Sequence, residues 1–281
     1  VHIEGAEIYP SRGRFLLMTV VAEPASLLYC FYTLFDPAAQ LTLKVRPQAQ
    51  DGAAEDAWQM SLSQSVSSQI ALDYVLQTHP ERAKGLLVVQ GVAQSPNAGQ
   101  LREGDILTAL AGQPVRHLRD IAQILQARPV RAPLAATIER AGKTLRIPLQ
   151  VWHNGPRRML GFRFSPILQD NGRPLNIHID SERVGGASGG LVFCLELIDQ
   201  LLPEDLTRGR IIAATGTLDR RARVGPVEGA AFKRIAAQRA GAQIFLCPRD
   251  VAAQLQGPGP QVVGVSSLQE ALQVLRAKPP P

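Results

Sequence analysis

The hydroxyl of Ser188 and the amine of Lys233, which lies 45 positions further on, are the side chains of this sequence best placed to do covalent chemistry. Ser188 stands in a run of small residues, Gly185-Gly186-Ala187-Ser188-Gly189-Gly190-Leu191. A serine at a turn that leads into a helix meets unpaired backbone N–H groups and the positive end of the helix dipole, which suits a developing oxyanion. The same residues also fit a plain N-cap serine in a glycine turn, so a nucleophile needs an independently placed base. A lysine half sunk among apolar groups loses solvation of its charged form, its pKa falls, and its amine can take a proton from a hydroxyl. Lys233 follows Ala230, Ala231 and Phe232 in a chain with only five lysines against 25 arginines. Its other reading is a surface lysine that snorkels.

The elements that would position this pair can be read from periodicity. Leu175-Asn176-Ile177-His178-Ile179-Asp180 alternates as a half-buried strand does, and Leu191, Cys194, Leu195 and Ile198 recur at helical spacing up to Leu201-Leu202-Pro203. Ile211 to Leu218 reads as a strand entering a turn, and Val224-Gly225-Pro226-Val227-Glu228-Gly229 leads into a helix. The expected buried stripe of that helix is Phe232, Ile235, Ala236 and Ala240, with Gly241 as its C′ residue.

Taken in order, four segments resemble the proteolytic domain of the Lon family: the Gly-Gly-Ala-Ser188-Gly-Gly-Leu turn, Ala214-Thr215-Gly216-Thr217-Leu218, Arg223 to Gly229, and the helix from Phe232-Lys233-Arg234 to Ala240-Gly241-Ala242. The resemblance implies a Ser-Lys dyad of Ser188 and Lys233, with Thr215 hydrogen-bonded to the lysine. The departures are Ala187 where the family usually has Pro, Gly189 where it has Ala, Arg183-Val184-Gly185 where many members are acidic, and Glu228-Gly229 where Gly-Gly is common.

Length and composition bound the rest. With 281 residues, 45% of them apolar, the chain can bury one large or two modest cores. The net charge of +6 would suit an anionic partner, but the arginines are scattered and aromatics make up 5%, so no nucleic acid is expected. Cys30, Cys194 and Cys247 show no metal or redox spacing, and the last two fall in apolar runs of core character. No run reaches about 18 apolar residues, because Glu23 and Pro24 interrupt the most apolar early stretch, which predicts a soluble chain as given. The first residue is Val1 rather than Met, as in a fragment without its natural N-terminus.

Along the chain, Val1-His2-Ile3 and Arg14 to Val21 read as strands, Ala25 to Tyr29 as a short helix, and Gln48 to Asp56 as a mobile loop. Trp58 to Leu76 is a long helix candidate with Met60, Val66, Ile70, Ala71, Tyr74 and Val75 near one side, and a serine-rich face, Ser61 to Ser68, suited to lie against another backbone or a cleft. Its Met60, Ser63, Ser65, Ala71 and Tyr74 resemble the opening of the Lon-type fold. From Gly85 the order changes: Gly85 to Gln90, Ser95-Pro96-Asn97-Ala98-Gly99, Leu101 to Leu107 with Gly104-Asp105, Gly112, Val115, a helix over 118–127, then strands 135–138 and 144–149. This order resembles a bacterial PDZ domain. The resemblance implies a peptide that adds as a strand, its terminal carboxylate held by the loop Lys84-Gly85-Leu86-Leu87 and its side chains by Ile121 and Leu125. The C-terminal part closes with strands Gln243 to Pro248 and Gln261 to Val265 and a capping box at Ser267-Leu268-Gln269-Glu270.

The expectation is therefore an α/β (α+β) fold, a Lon-type proteolytic domain in two parts, 1–79 and 152–281, with a PDZ domain inserted at 80–151. Gly142-Lys143-Thr144 is no Walker A loop, since Thr137 stands where its first glycine belongs, so no nucleotide and no other cofactor or metal is expected. The resemblance is to ATP-independent, PDZ-containing Lon-like serine proteases. It implies polypeptide substrates, peptide C-termini at the groove, a homo-oligomer such as a hexamer, and a bacterial membrane location in which an anchor absent from this chain holds an extracytoplasmic catalytic part. Two alternatives stay open: a silent Lon-like domain serving as a peptide-binding scaffold, and a Ser-His-Asp arrangement using His178 and Asp180.

Overall fold

The strand and helix periodicities translate into a mixed α/β architecture, seen in a computed structural model whose described residues are 1–20, 49–92, 94–127, 133–154, 157–168, 175–180 and 185–277. The chain opens with β1 (His2–Glu4), β2 (Arg14–Leu17) and the long helix α1 (Ala49–Thr78). Then come β3 (Ala83–Gly91), β4 (Ile106–Leu110), β5 (Gln113–Pro114), α2 (Leu118–Gln126), β6 (Leu134–Arg140), β7 (Lys143–Leu149), β8 (Trp152–Asn154), β9 (Arg157–Met159), β10 (Phe162–Leu168) and β11 (Asn176–His178). A 3-10 turn, Ala187–Gly189, leads into α3 (Gly190–Leu201). After it follow β12 (Ile211–Ala214), β13 (Thr217–Leu218), β14 (Val224–Gly225), α4 (Ala230–Arg239), β15 (Ile244–Pro248), α5 (Arg249–Ala252), β16 (Gln261–Val265) and α6 (Leu268–Arg276).

Contacts divide the chain into two compact units. One holds Val1, Ile8–Leu72 and Ile179–Pro281; the other holds His2–Glu7 and Asp73–His178. The sequence placed the inserted segment at 80–151, whereas the second unit runs on through β8 to β11, because β10 completes its sheet by pairing antiparallel along β3.

The first unit is built on a four-stranded parallel sheet in the order β16-β15-β12-β2. Parallel strands are covered on both faces and read as apolar runs, and all five residues of β15 are buried. Ala213, Phe245, Cys247 and Ala237 form part of its core. Burial and the nearby Asp250 raise the Cys247 thiol to about 11, and burial raises that of Cys194, so both are inert core thiols. At α6 the Ser267 hydroxyl accepts from the Glu270 N–H at 3.3 Å, while the Glu270 carboxylate reaches one residue further back, to the Ser266 N–H at 2.7 Å.

The second unit is built on an antiparallel sheet in the order β10-β3-β4-β6-β7, with β5 on β4. Leu86, Leu107, Ile121, Leu125 and Ile138 belong to its core. Asp105 is almost fully buried and is held by two 2.7 Å contacts from Arg140 and by the Arg102 N–H at 2.8 Å.

Two local expectations change. Positions 49–56 are helical rather than a loop, because Ala49, Ala53, Ala54 and Glu55 favour the helix that the apolar pattern carries forward. On α4 the buried residues are Lys233 and Ala237, while Phe232, Ile235 and Ala236 are half buried and Ala240 is exposed. The apolar count had turned the helix by one position, because the true inward face carries a charged residue type. The long strand expected from Arg14 to Val21 ends at Leu17, and its last residue, the proposed helix Ala25 to Tyr29 and Cys30 lie outside the described residues.

Candidate active site

Ser188 occupies the middle of the 3-10 turn ahead of α3. The glycines around it answer to close approaches. A Cβ on Gly185 would come 2.6 Å from that of Asp56, and one on Gly189 would come 2.7 and 2.9 Å from the Phe193 ring and 3.1 Å from Leu17. Glycine at 189 thus leaves room for Phe193. Gly186 takes φ 85°, a left-handed conformation that glycine adopts without strain.

Lys233 arrives from the first turn of α4, which starts after Gly229 in a left-handed conformation. The side chain is only 4% exposed, and its Nζ lies 2.7 Å from Ser188 Oγ and 3.3 Å from Thr215 Oγ1. Burial holds the Lys233 amine below the ordinary lysine value, with the Glu228 carboxylate pulling the other way. Thr215 follows β12 directly, is 1% exposed, and is fixed through its N–H to the Leu246 carbonyl at 2.9 Å. Its hydroxyl donates to the Ser188 carbonyl at 3.3 Å, which turns its lone pairs toward Lys233. The Gly216 N–H donates to the same Ser188 carbonyl at 2.8 Å. Ser188, Thr215 and Lys233, on three separate elements, are therefore within hydrogen-bond reach of one another. His178, the residue of the imidazole alternative, is exposed on β11, in register with His2. Among the described residues no cluster of His, Cys, Asp or Glu could hold a metal ion.

The peptide groove read from the sequence needs correction. Leu86 pairs with Pro166 on one side and Leu107 on the other, and Leu87 with Ser165 and Ile106, so β3 has no open edge there for an added strand. Gly85 is a glycine for packing, since a Cβ there would meet the Leu107 carbonyl oxygen at 2.6 Å. Ile121 and Leu125 are 8% and 2% exposed and belong to the core. β10 lies at one edge of this sheet, and the peptide planes ahead of it are held from the interior. The Leu160 carbonyl accepts from Ser95 Oγ at 3.0 Å and from Asn97 Nδ2 at 2.9 Å. In a trans peptide the N–H points opposite to the C=O, so the Gly161 N–H faces away from these interior groups. The Gly161 carbonyl in turn accepts from the Val92 N–H at 2.9 Å, which directs the Phe162 N–H away from β3. Gly161 has φ 80°, and a Cβ on it would fall 2.3 Å from Ser95 Oγ. Arg158 donates to the Leu125 carbonyl at 2.9 Å and so ties the residues before the turn to the end of α2, whose first residue Leu118 is 42% exposed. The readable signal for this site was Leu160-Gly161-Phe162-Arg163-Phe164, a glycine between apolar residues that open a strand.

No family model matches the chain. It is 34% identical over 104 residues to a probable periplasmic serine endoprotease DegP-like from Rhizobium meliloti (strain 1021), a match covering 36% of this chain and 20% of that protein. The chain thus spans about a fifth of the length of this curated relative. Among solved structures it is similar to the PDZ domain of an SdrC-like protein from Listeria monocytogenes, with 15% identity, a TM-score of 0.27, and coverage of 29% of this chain and 87% of that one. The PDZ domain of an SdrC-like protein from Listeria innocua gives 17% identity, a TM-score of 0.27, and coverage of 28% and 92%. The findings thus join a serine endoprotease relative to PDZ-domain neighbours.

Proposed function

We propose that this chain is an ATP-independent serine endopeptidase of the Lon-like kind, in which Ser188 is the nucleophile, Lys233 the general base and Thr215 the residue that orients the amine. The observation that carries this reading is the buried Lys233 Nζ at 2.7 Å from Ser188 Oγ. Burial favours the neutral amine, whose lone pair accepts the Ser188 proton as Oγ bonds to the carbonyl carbon of a polypeptide. Lys233 hands that proton to the leaving nitrogen as the C–N bond breaks. Water then attacks the acyl-enzyme ester, giving its proton to Lys233 and, through it, restoring the Ser188 hydroxyl. The DegP-like relative supports the coarser reading of a serine protease.

For the second unit we propose a PDZ-type site that takes the C-terminal carboxylate of a peptide on the Gly161 and Phe162 N–H groups, with the chain end lying beside β10. Phe162 and Phe164, half buried with ring centroids 6.4 Å apart, and Leu118 supply apolar surface for its side chains. The periplasmic designation of the relative supports an extracytoplasmic location. Among the described residues no helix is long and apolar enough to cross a membrane. The anchor and the homo-oligomer rest on the resemblance.

The test is cleavage of casein without nucleotide across pH. The parent should cut, with a rate that rises as pH passes upward through the lowered pKa of Lys233, and Ser188→Ala and Lys233→Ala should each lose about 1,000-fold or more. A parent without activity, still binding peptide C-termini, would establish the scaffold reading instead.

A further inference from the structure

The serine-rich face of α1 meets the turn that carries Ser188. The Asp56 carbonyl accepts from the Gly186 N–H at 3.0 Å, Ser63 Oγ donates to the Ala187 carbonyl at 3.0 Å, and Ser67 Oγ donates to the Gly190 carbonyl at 2.9 Å. Positions 56, 63 and 67 are spaced by seven and four residues and so share one helix face. Ser63 and Ser67 are 7% and 0% exposed, whereas Ser61 and Ser65 point to solvent. A stripe that would ordinarily be apolar carries two hydroxyls, and each is spent on a carbonyl flanking the nucleophile.

We infer that Ser63 is a positioning residue for the oxyanion donor of Ser188, with Ser67 fixing the start of α3 behind it. The Ala187 carbonyl is held from the α1 side by Ser63 and also accepts the Gly190 N–H of the 3-10 turn. In the planar trans peptide the Ser188 N–H then points away from α1, on the side where an oxyanion formed at Ser188 Oγ would need a donor. Ser63 touches no reacting atom in this scheme. Its hydroxyl sets the direction of an N–H dipole in advance, so that the dipole need not reorient as charge develops. Gly190 leaves space for the arrangement, since a Cβ there would sit 3.1 Å from Ser63 Oγ and 3.0 Å from the Leu218 nitrogen.

This inference rests on the peptidase reading, and the experiment separates the two. Steady-state kinetics on a fluorogenic peptide would compare the full chain with Ser63→Ala, Ser63→Thr and Ser63→Cys, alongside inhibition by a peptidyl boronate, whose tetrahedral adduct loads the oxyanion site. Ser63→Ala should lower kcat by about 10- to 50-fold with KM within about twofold, and boronate affinity should fall in step with kcat. The pH midpoint of kcat, set by Lys233, should stay where it is, and Ser63→Thr should restore at least half of the rate. If Ser63→Ala fails to fold, Ser63→Cys, nearly the same size with a weaker donor, should show the same pattern at smaller amplitude. An active parent whose Ser63→Ala variant keeps kcat within twofold, or loses kcat with unchanged boronate affinity, overturns this inference alone. A folded parent without peptidase activity overturns both.

Discussion

At Gly161 a left-handed glycine follows a carbonyl held by Ser95 and Asn97, and at Ser188 a turn entered through left-handed Gly186 has its carbonyls held by Ser63, Ser67 and Thr215. In both places interior side-chain donors, hydroxyls and at Gly161 also the Asn97 amide, hold the peptide planes. The two turns differ in what stands beside those planes. At Ser188 there is a hydroxyl with a desolvated amine against it; at Gly161 there is a strand that has one partner among the described residues, with aromatic rings on it. Backbone dipoles alone suffice to bind an anion that already exists, such as a terminal carboxylate. Creating an oxyanion also requires a nucleophile and a base whose proton affinity has been shifted by burial, and of the two turns it is the one at Ser188 that sets a buried amine against a hydroxyl.

Gly161→Ala places a Cβ against Ser95 Oγ and forces alanine into a left-handed conformation that costs about 1–2 kcal/mol. Peptide binding, read by fluorescence anisotropy, should weaken by about 100-fold, while cleavage of a short peptide that does not use the groove should continue at the parent rate. Equal losses in both assays would show that the turns are not independent in function.

Asp105→Asn addresses the framework of the second unit. It removes the carboxylate from Arg140 in a site that is 1% exposed on the Asp105 side, which should cost about 3 kcal/mol in urea unfolding of that unit. Burial by itself would raise the Asp105 pKa, but Arg140 and the Arg102 N–H outweigh it and hold the carboxyl below its usual value. The sign follows: a depressed folded pKa gives stability that is complete above the unfolded value near about 3.9 and is lost as pH falls through the folded value. Acid should therefore weaken the parent more than the Asn variant.

The smallest expected effect is at Gly189→Ala. Here the added methyl must displace the Phe193 ring and Leu17, at a cost of about 1–3 kcal/mol, and the cleavage rate should fall by about tenfold with no change in peptide binding. A rate equal to the parent would mean that Phe193 swings aside without moving Ser188.

Much of this was legible beforehand because it depends on local rules. Gly241 takes its left-handed C′ conformation, Ser267 caps α6, and the apolar run of β15 is a buried parallel strand. The one-position error on α4 has a physical cause: hydrophobic periodicity assumes that charged residues face water, and Lys233 does not. The pairing of β3 was hidden for a related reason. A glycine followed by leucines reads the same whether it opens a ligand site or packs two strands closely, and only pairing decides between them; among the described residues β3 is paired on both sides and β10 on one.

By itself, then, the sequence determined the element types, the glycine turn, the scarcity of lysine that drew notice to Lys233, and the mixed α/β class. These follow from side-chain size, backbone freedom and periodicity, which act over a few residues. The tertiary structure decided what sequence spacing cannot express: that an amine 45 positions from Ser188 lies 2.7 Å from its hydroxyl, that burial lowers its pKa, and that two serines of α1 hold the turn from behind. Distance and desolvation arise only when separate elements pack, because each depends on atoms that the local sequence does not contain.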